Sequence, residues 1–152
     1  MNEKYTARVT TLILAPAARV WQVLTDPDQI QQYLFGTRAI TNWQIGSPIR
    51  WKGEWQGKTY EDKGTILQVI PEKLLETTYW SSMSGLPDTP ESYKKVAYQL
   101  TPTDEGTRLT LTQDNNTSEE DKIHSEQNWK MVLDGLRKLV EESQQSDNPP
   151  SQ

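Results

Sequence analysis

Strict alternation is the clearest signal along the chain. Across residues 47–56, Ile49, Trp51, Gly53 and Trp55 fall on one side while Arg50, Lys52, Glu54 and Gln56 fall on the other. That is the pattern of a strand with one buried and one wetted face. Residues 3–14 read as a long opening strand, with Val9, Thr11 and Ile13 on one side and Leu12 and Leu14 on the other. Four further runs, 60–69, 73–80, 93–100 and 106–115, read as strands, with Pro71-Glu72 and Asp104-Glu105-Gly106 as tight connections. Their short spacing predicts an antiparallel meander.

Helical spacing appears in three places. Ala15-Pro16-Ala17-Ala18 starts a short helix that packs through Val20, Trp21, Val23 and Leu24 until Asp26-Pro27 interrupts it, and a second runs from Asp28 to Tyr33. The third is long and covers residues 119–142. Ser118 is its N-cap, Asp121 takes the capping-box position, and Glu119 and Glu120 suit the positive end of the helix dipole. Trp129, Val132, Leu133, Leu136, Leu139 and Val140 form one apolar stripe along it. Gly135 costs about 1 kcal/mol of helix propensity against alanine, for which close backbone packing would compensate. The stretch 81–92 is too polar and broken for a central strand, and is either a loop at a pocket mouth or a disordered hairpin end. Residues 3–142 are expected to form one domain and 143–152 a flexible polar tail.

Composition narrows the function. The 152 residues include six tryptophans, no cysteine, one histidine and one phenylalanine, so disulfides and thiol chemistry are excluded. So many indoles suit a broad apolar interior better than a polar catalytic cluster. A net charge of -5 opposes nucleic acid as a principal partner. The alternating N-terminus is neither a signal peptide nor a membrane span, so a cytoplasmic protein is expected.

The run Val9-Thr10-Thr11-Leu12-Ile13-Leu14-Ala15-Pro16-Ala17-Ala18-Arg19-Val20-Trp21, together with Gln32-Tyr33-Leu34, Gly64-Thr65-Ile66, Pro71-Glu72-Lys73-Leu74-Leu75 and Asn128-Trp129-Lys130-Met131-Val132-Leu133-Asp134-Gly135-Leu136, resembles the START-like helix-grip superfamily, and most closely its branch related to the C-terminal domain of the activator of Hsp90 ATPase. The resemblance spans residues 5–142. It implies an α+β fold in which a curved antiparallel sheet of about six or seven strands wraps around a long C-terminal helix, with two short helices after the first strand. Related proteins include lipid carriers, hormone receptors and cyclases, so it implies a fold more than a reaction. The complete cochaperone has a further N-terminal domain that makes a major chaperone contact. A chaperone-activating role is therefore not expected of a chain that opens on the first helix-grip strand.

The leading expectation is a non-catalytic protein that binds a small hydrophobic or amphipathic molecule between sheet and helix. Ile49, Trp51 and Trp55 should line the sheet side, and Trp129, Leu133 and Leu136 the helix side; in the plainer alternative they simply pack together. Tyr60, Tyr79, Tyr93 and Tyr98 are the groups suited to add a polar contact, with Tyr79 and Tyr98 the foremost ligand contacts, and Trp80 pointing opposite to Tyr79. Two alternatives stay open: a protein-interaction module working through the outer sheet face or residues 81–92, and an enzyme acting on an apolar or aromatic substrate. No catalytic residue, cofactor or metal site is assigned. His124 lies off the apolar stripe and has no companion imidazole or thiol, and Glu61-Asp62 and Glu119-Glu120 do not have the arrangement of a glycosidase dyad. The protein is expected to be a monomer or a weak homodimer.

Overall fold

A computed structural model describes residues 5–34, 36–82 and 85–147; for Trp55 and residues 143–147 it describes the backbone alone. Seven antiparallel strands form one sheet in the order β1-β7-β6-β5-β4-β3-β2. They are β1 (Ala7–Ile13), β2 (Arg38–Ile40), β3 (Pro48–Trp55), β4 (Lys58–Ile70), β5 (Leu74–Ser81), β6 (Lys94–Pro102) and β7 (Thr107–Gln113). Two short helices, α1 (Ala17–Leu24) and α2 (Pro27–Tyr33), separate β1 from β2, and α3 (Glu119–Asp147) closes the described chain. This is the helix-grip α+β architecture expected from the sequence.

Strand parity decides which face is dry. On β1, Ala7 and Ile13 are buried while Leu12, and Leu14 just beyond the strand, are exposed; on β7, Thr107, Leu109, Leu111 and Gln113 are buried in alternation. Gln56 and Gly57 both adopt positive φ, at 51° and 79°, and join β3 to β4. A two-residue turn of that hand matches the right-handed twist of the strands it joins. β4 carries a bulge between Ile66 and Gln68, a device that bends a strand and increases its twist. Near it, a Cβ on Gly64 would lie 1.8 Å from the Thr78 carbonyl oxygen, so only glycine permits that approach.

The helices begin where their capping chemistry dictates. Pro16 precedes α1 in extended conformation, and Asp26 caps α2 by accepting from the Asp28 amide at 3.0 Å, with Pro27 at the first helical position. At α3, Ser118 Oγ accepts from the Asp121 amide at 3.1 Å, and the Asp121 carboxylate accepts from the Thr117 amide at 2.9 Å. The box therefore closes one residue further upstream than its usual form. α3 spans 29 residues, about 44 Å. It runs through to Asp147 and takes in five residues expected to belong to the tail. Gly135 meets the Tyr33 backbone at an ordinary 3.9 Å from where a Cβ would stand, so the close packing expected there is not present.

Candidate functional site: a cavity under the first half of the helix

The core is solid at one end. Leu133, Leu136 and Val140 of α3 pack with Val20, Val23 and Leu24 of α1, Ile30 of α2, and Leu100, Leu109 and Leu111 of the sheet. At the other end a polar network, rather than apolar packing, ties α3 to β7. The Trp129 indole donates to Gln113 Oε1 at 2.5 Å, Gln113 Nε2 donates to Ser125 Oγ and Asn116 Oδ1 at 3.3 Å each, and Ser125 Oγ donates to Asn116 Oδ1 at 2.9 Å. Lys94 Nζ donates to the same Asn116 oxygen and pairs with Asp121. Buried polar atoms must be paired in this way, and the directional bonds hold the helix without filling the space beneath it.

That space is a cavity of about 490 Å³, within the range that holds a small organic ligand. Ser125, Asn128, Trp129 and Val132 line it from α3, and Ile49, Trp51, Asp62, Thr77, Tyr79, Val96 and Tyr98 from the sheet. Tyr33 of α2 and Trp43 of the loop before β3 complete the aromatic wall. Tyr33 also donates to the Leu24 carbonyl at 2.9 Å, fastening α2 to the end of α1. Trp43 sits at φ 62°, a left-handed conformation that costs a bulky residue about 1–2 kcal/mol. Its amide donates to Thr41 Oγ1 at 3.3 Å.

One buried carboxylate lines this space. Asp62 is only 7% exposed; it accepts from the Tyr79 hydroxyl at 2.8 Å and from the Ser82 amide at 3.3 Å. Burial raises its pKa above the ordinary carboxylate value, against the lowering effect of its bonds to Tyr79, Ser81 and Ser82. Burial and then the neighbouring Asp62 charge push the Tyr79 phenol well up. Burial alone does the same for Tyr98, whose hydroxyl makes no hydrogen bond among the described residues. Tyr98 meets Trp129 edge to face, with ring centroids 6.1 Å apart.

The structure sorts the expected ligand contacts into three groups. Ile49, Trp51, Tyr79, Tyr98 and Trp129 line the cavity. Leu133 and Leu136 do not: they are buried further along α3, in the core cluster shared with α1 and α2. The side chain of Trp55 lies outside the described residues. Tyr60 lines the cavity, whereas Tyr93 lies outside it, stacked on Trp80 and bonded to Asp88 at 2.6 Å, with its phenol pushed up to about 12 by burial and that bond. Trp80 packs outward under Lys63, opposite to Tyr79. His124 is exposed. In the sequence, Glu61-Asp62 reads as strand neighbours on opposite faces rather than a dyad, and Asp62 is assigned no place in the cavity wall. Glu61 does point outward, to Arg50 and Lys52, and the parity that puts Ile66 and Gly64 inside puts Asp62 with them.

No group of His, Cys, Asp or Glu among the described residues is arranged to hold a metal ion, and no described helix is long and apolar enough to cross a membrane. A curved sheet gripping one long helix over a partly enclosed cavity defines a helix-grip protein. The family model for Activator of Hsp90 ATPase homolog 1-like protein matches residues 14–141, and the chain belongs to that family. The solution structure of ChR145 from Cytophaga hutchinsonii is 46% identical, with TM-score 0.79, covering 91% of this chain and 94% of that one. The crystal structure of NE0264 from Nitrosomonas europaea is 21% identical, with TM-score 0.75, over 95% and 99% of the two chains. The Aha1 dimer from Colwellia psychrerythraea is 19% identical, with TM-score 0.68, over 89% and 95%. These last two likenesses concern the fold alone. No curated protein matches.

Proposed function

We propose that this protein binds a small amphipathic molecule in the cavity between the sheet and the first half of α3. The observation that carries the reading is the cavity itself: about 490 Å³ of space under the first half of a helix whose Leu133, Leu136 and Val140 are buried in the core. Ordinary cores leave few voids larger than a water molecule, so retained space of this size calls for an occupant. The wall supports the same reading. Trp43, Trp51, Tyr60, Tyr79, Tyr98 and Trp129 offer apolar faces, while Asp62 and the Tyr98 hydroxyl offer polar contacts. A few polar groups set into a mainly apolar wall orient a ligand rather than merely enclose it.

Native mass spectrometry of the protein purified without added ligand, followed by denaturing extraction, tests this. A reproducible small molecule at one per chain is the expected result. If the protein is consistently empty, and a panel of small aromatic amphiphiles also leaves its thermal midpoint unchanged, the reading fails.

A further inference from the structure

The cavity carries negative charge without a positive partner in its wall. Trp51 on β3, Asp62 on β4 and Tyr79 on β5 form a row across three adjacent strands: Trp51 and Asp62 are register partners, Tyr79 donates to Asp62, and the two rings meet edge to face at 5.3 Å. The charged side chains in the lining are Asp62 and, at the exposed rim, Glu54; no Lys, Arg or His is among the described lining residues. Four cations of these and the adjoining strands are engaged elsewhere. Arg50 and Lys52 pair with Glu61 on the outer face, Lys63 pairs with Asp88, and Lys94 pairs with Asp121.

Resting on the binding function above, we propose that the cavity selects amphiphiles whose polar end is a protonated amine on an apolar or aromatic body, and rejects those that end in a carboxylate. Asp62 has acceptor capacity to spare. An ionised carboxyl group offers about four lone-pair sites, and the Tyr79 hydroxyl, the Ser82 amide and Ser81 leave room for one more donor. An ammonium brings donors only, and beside Asp62 it also meets the rings of Trp51 and Tyr79, whose faces attract cations. A carboxylate in the same place would set a second negative charge against a buried one, and two such groups cannot both stay ionised. Burial holds the Asp62 carboxyl above its ordinary range, and a neighbouring positive charge acts in the opposite direction, favouring the ionised form. The hydroxyl of Tyr98, a residue 8% exposed that lines the cavity, makes no hydrogen bond among the described residues and gives such a ligand a second polar anchor.

Three probes that share one aromatic body separate the charge from the fit: 2-naphthylmethylamine, 2-naphthylmethanol and 2-naphthylacetic acid. Each is titrated calorimetrically at neutral pH into the wild-type protein and into Asp62→Asn, after both have shown cooperative thermal melts. In the wild type the amine is expected to bind at least about tenfold tighter than the alcohol, and the acid more weakly than either. In Asp62→Asn the amine is expected to lose most of its advantage over the alcohol, keeping only the share that the rings supply. An acid that binds as well as the amine, or an amine advantage that survives undiminished in Asp62→Asn, overturns the proposal. If the alcohol binds and the amine gains nothing, or if none of the three binds while native mass spectrometry finds a carried molecule without an amine, charge selection falls and the binding function stands. If none binds and the purified protein is also empty, both fall. Should Asp62→Asn not fold, the wild-type ranking decides.

Discussion

The two halves of α3 face the same sheet and meet different interiors. From Leu133 to Val140 the helix is pressed between the sheet and the two short helices, and Leu133, Leu136 and Val140 have at most 1% of their surface exposed. From Ser125 to Val132 it rests on the Gln113–Asn116–Ser125–Trp129 hydrogen bonds and overlooks open space. Apolar packing is non-directional and draws surfaces together until space is gone. Hydrogen bonds fix a distance and leave what lies beside them unfilled. The comparison teaches that one helix can serve as core at one end and as the roof of a cavity at the other, with the change set by which interaction ties it down.

The sharpest way to break that comparison is in the solid half. Leu136→Ala is expected to cost about 2–5 kcal/mol of unfolding free energy in chemical denaturation, since the surrounding core can relax only in part. Trp129→Phe keeps an aromatic in the cavity wall but leaves Gln113 Oε1 without the indole donor, and is expected to cost about 1–3 kcal/mol in the same assay. A cost as large as that of Leu136→Ala would mean that the first half of α3 is held by packing after all. Gly135→Ala is expected to stabilise by about 0.5–1 kcal/mol, because a Cβ there meets Tyr33 only at ordinary contact distance.

The smallest expected effect is a slope. Because the folded-state pKa of Asp62 is raised, the folded protein binds its proton more tightly than the unfolded chain does. Stability should therefore fall as pH rises from the ordinary carboxylate value through the raised one. Asp62→Asn, which imitates the protonated form, should remove that part of the slope when thermal midpoints are followed across the acidic range. If the wild type and Asp62→Asn keep parallel profiles there, the ionised carboxylate carries no burial cost.

Much of this architecture was legible because period two and period 3.6 are written in contiguous residues. The alternation through Ile49, Trp51 and Gly53, the Leu12 and Leu14 outer face, and the Leu133–Leu136–Val140 stripe all lie within single elements. β2 was not legible. Its three residues, Arg38–Ile40, are too few to show a period, and pairing with Lys52, Trp51 and Arg50 of β3 makes them a strand. The stripe on α3 named the buried face correctly but could not say where along the axis the space beneath it was filled, so Leu133 and Leu136 were placed with Trp129 in a wall they do not reach. For Asp62 the signal was present. It shares parity with Gly64 and Ile66, and a polar residue on the apolar side of a strand is the more informative of two adjacent acids.

The bulge between Ile66 and Gln68 bears on how this sequence can change over generations. Before it, β4 sends Asp62 and Gly64 inward and Glu61 and Lys63 outward, each facing its own set of neighbours on β3 and β5. Gaining or losing one residue upstream would exchange the two sets, bringing Glu61 and Lys63 under the helix and turning Asp62 to water. Length changes in that stretch are therefore survivable in twos, and a solitary insertion is tolerable only at a bulge, where the odd residue is held outside the ladder. Descendants of this chain should keep residues that accept positive φ at the Gln56-Gly57 hairpin tip and keep the count from Asp62 to Ile66 unchanged.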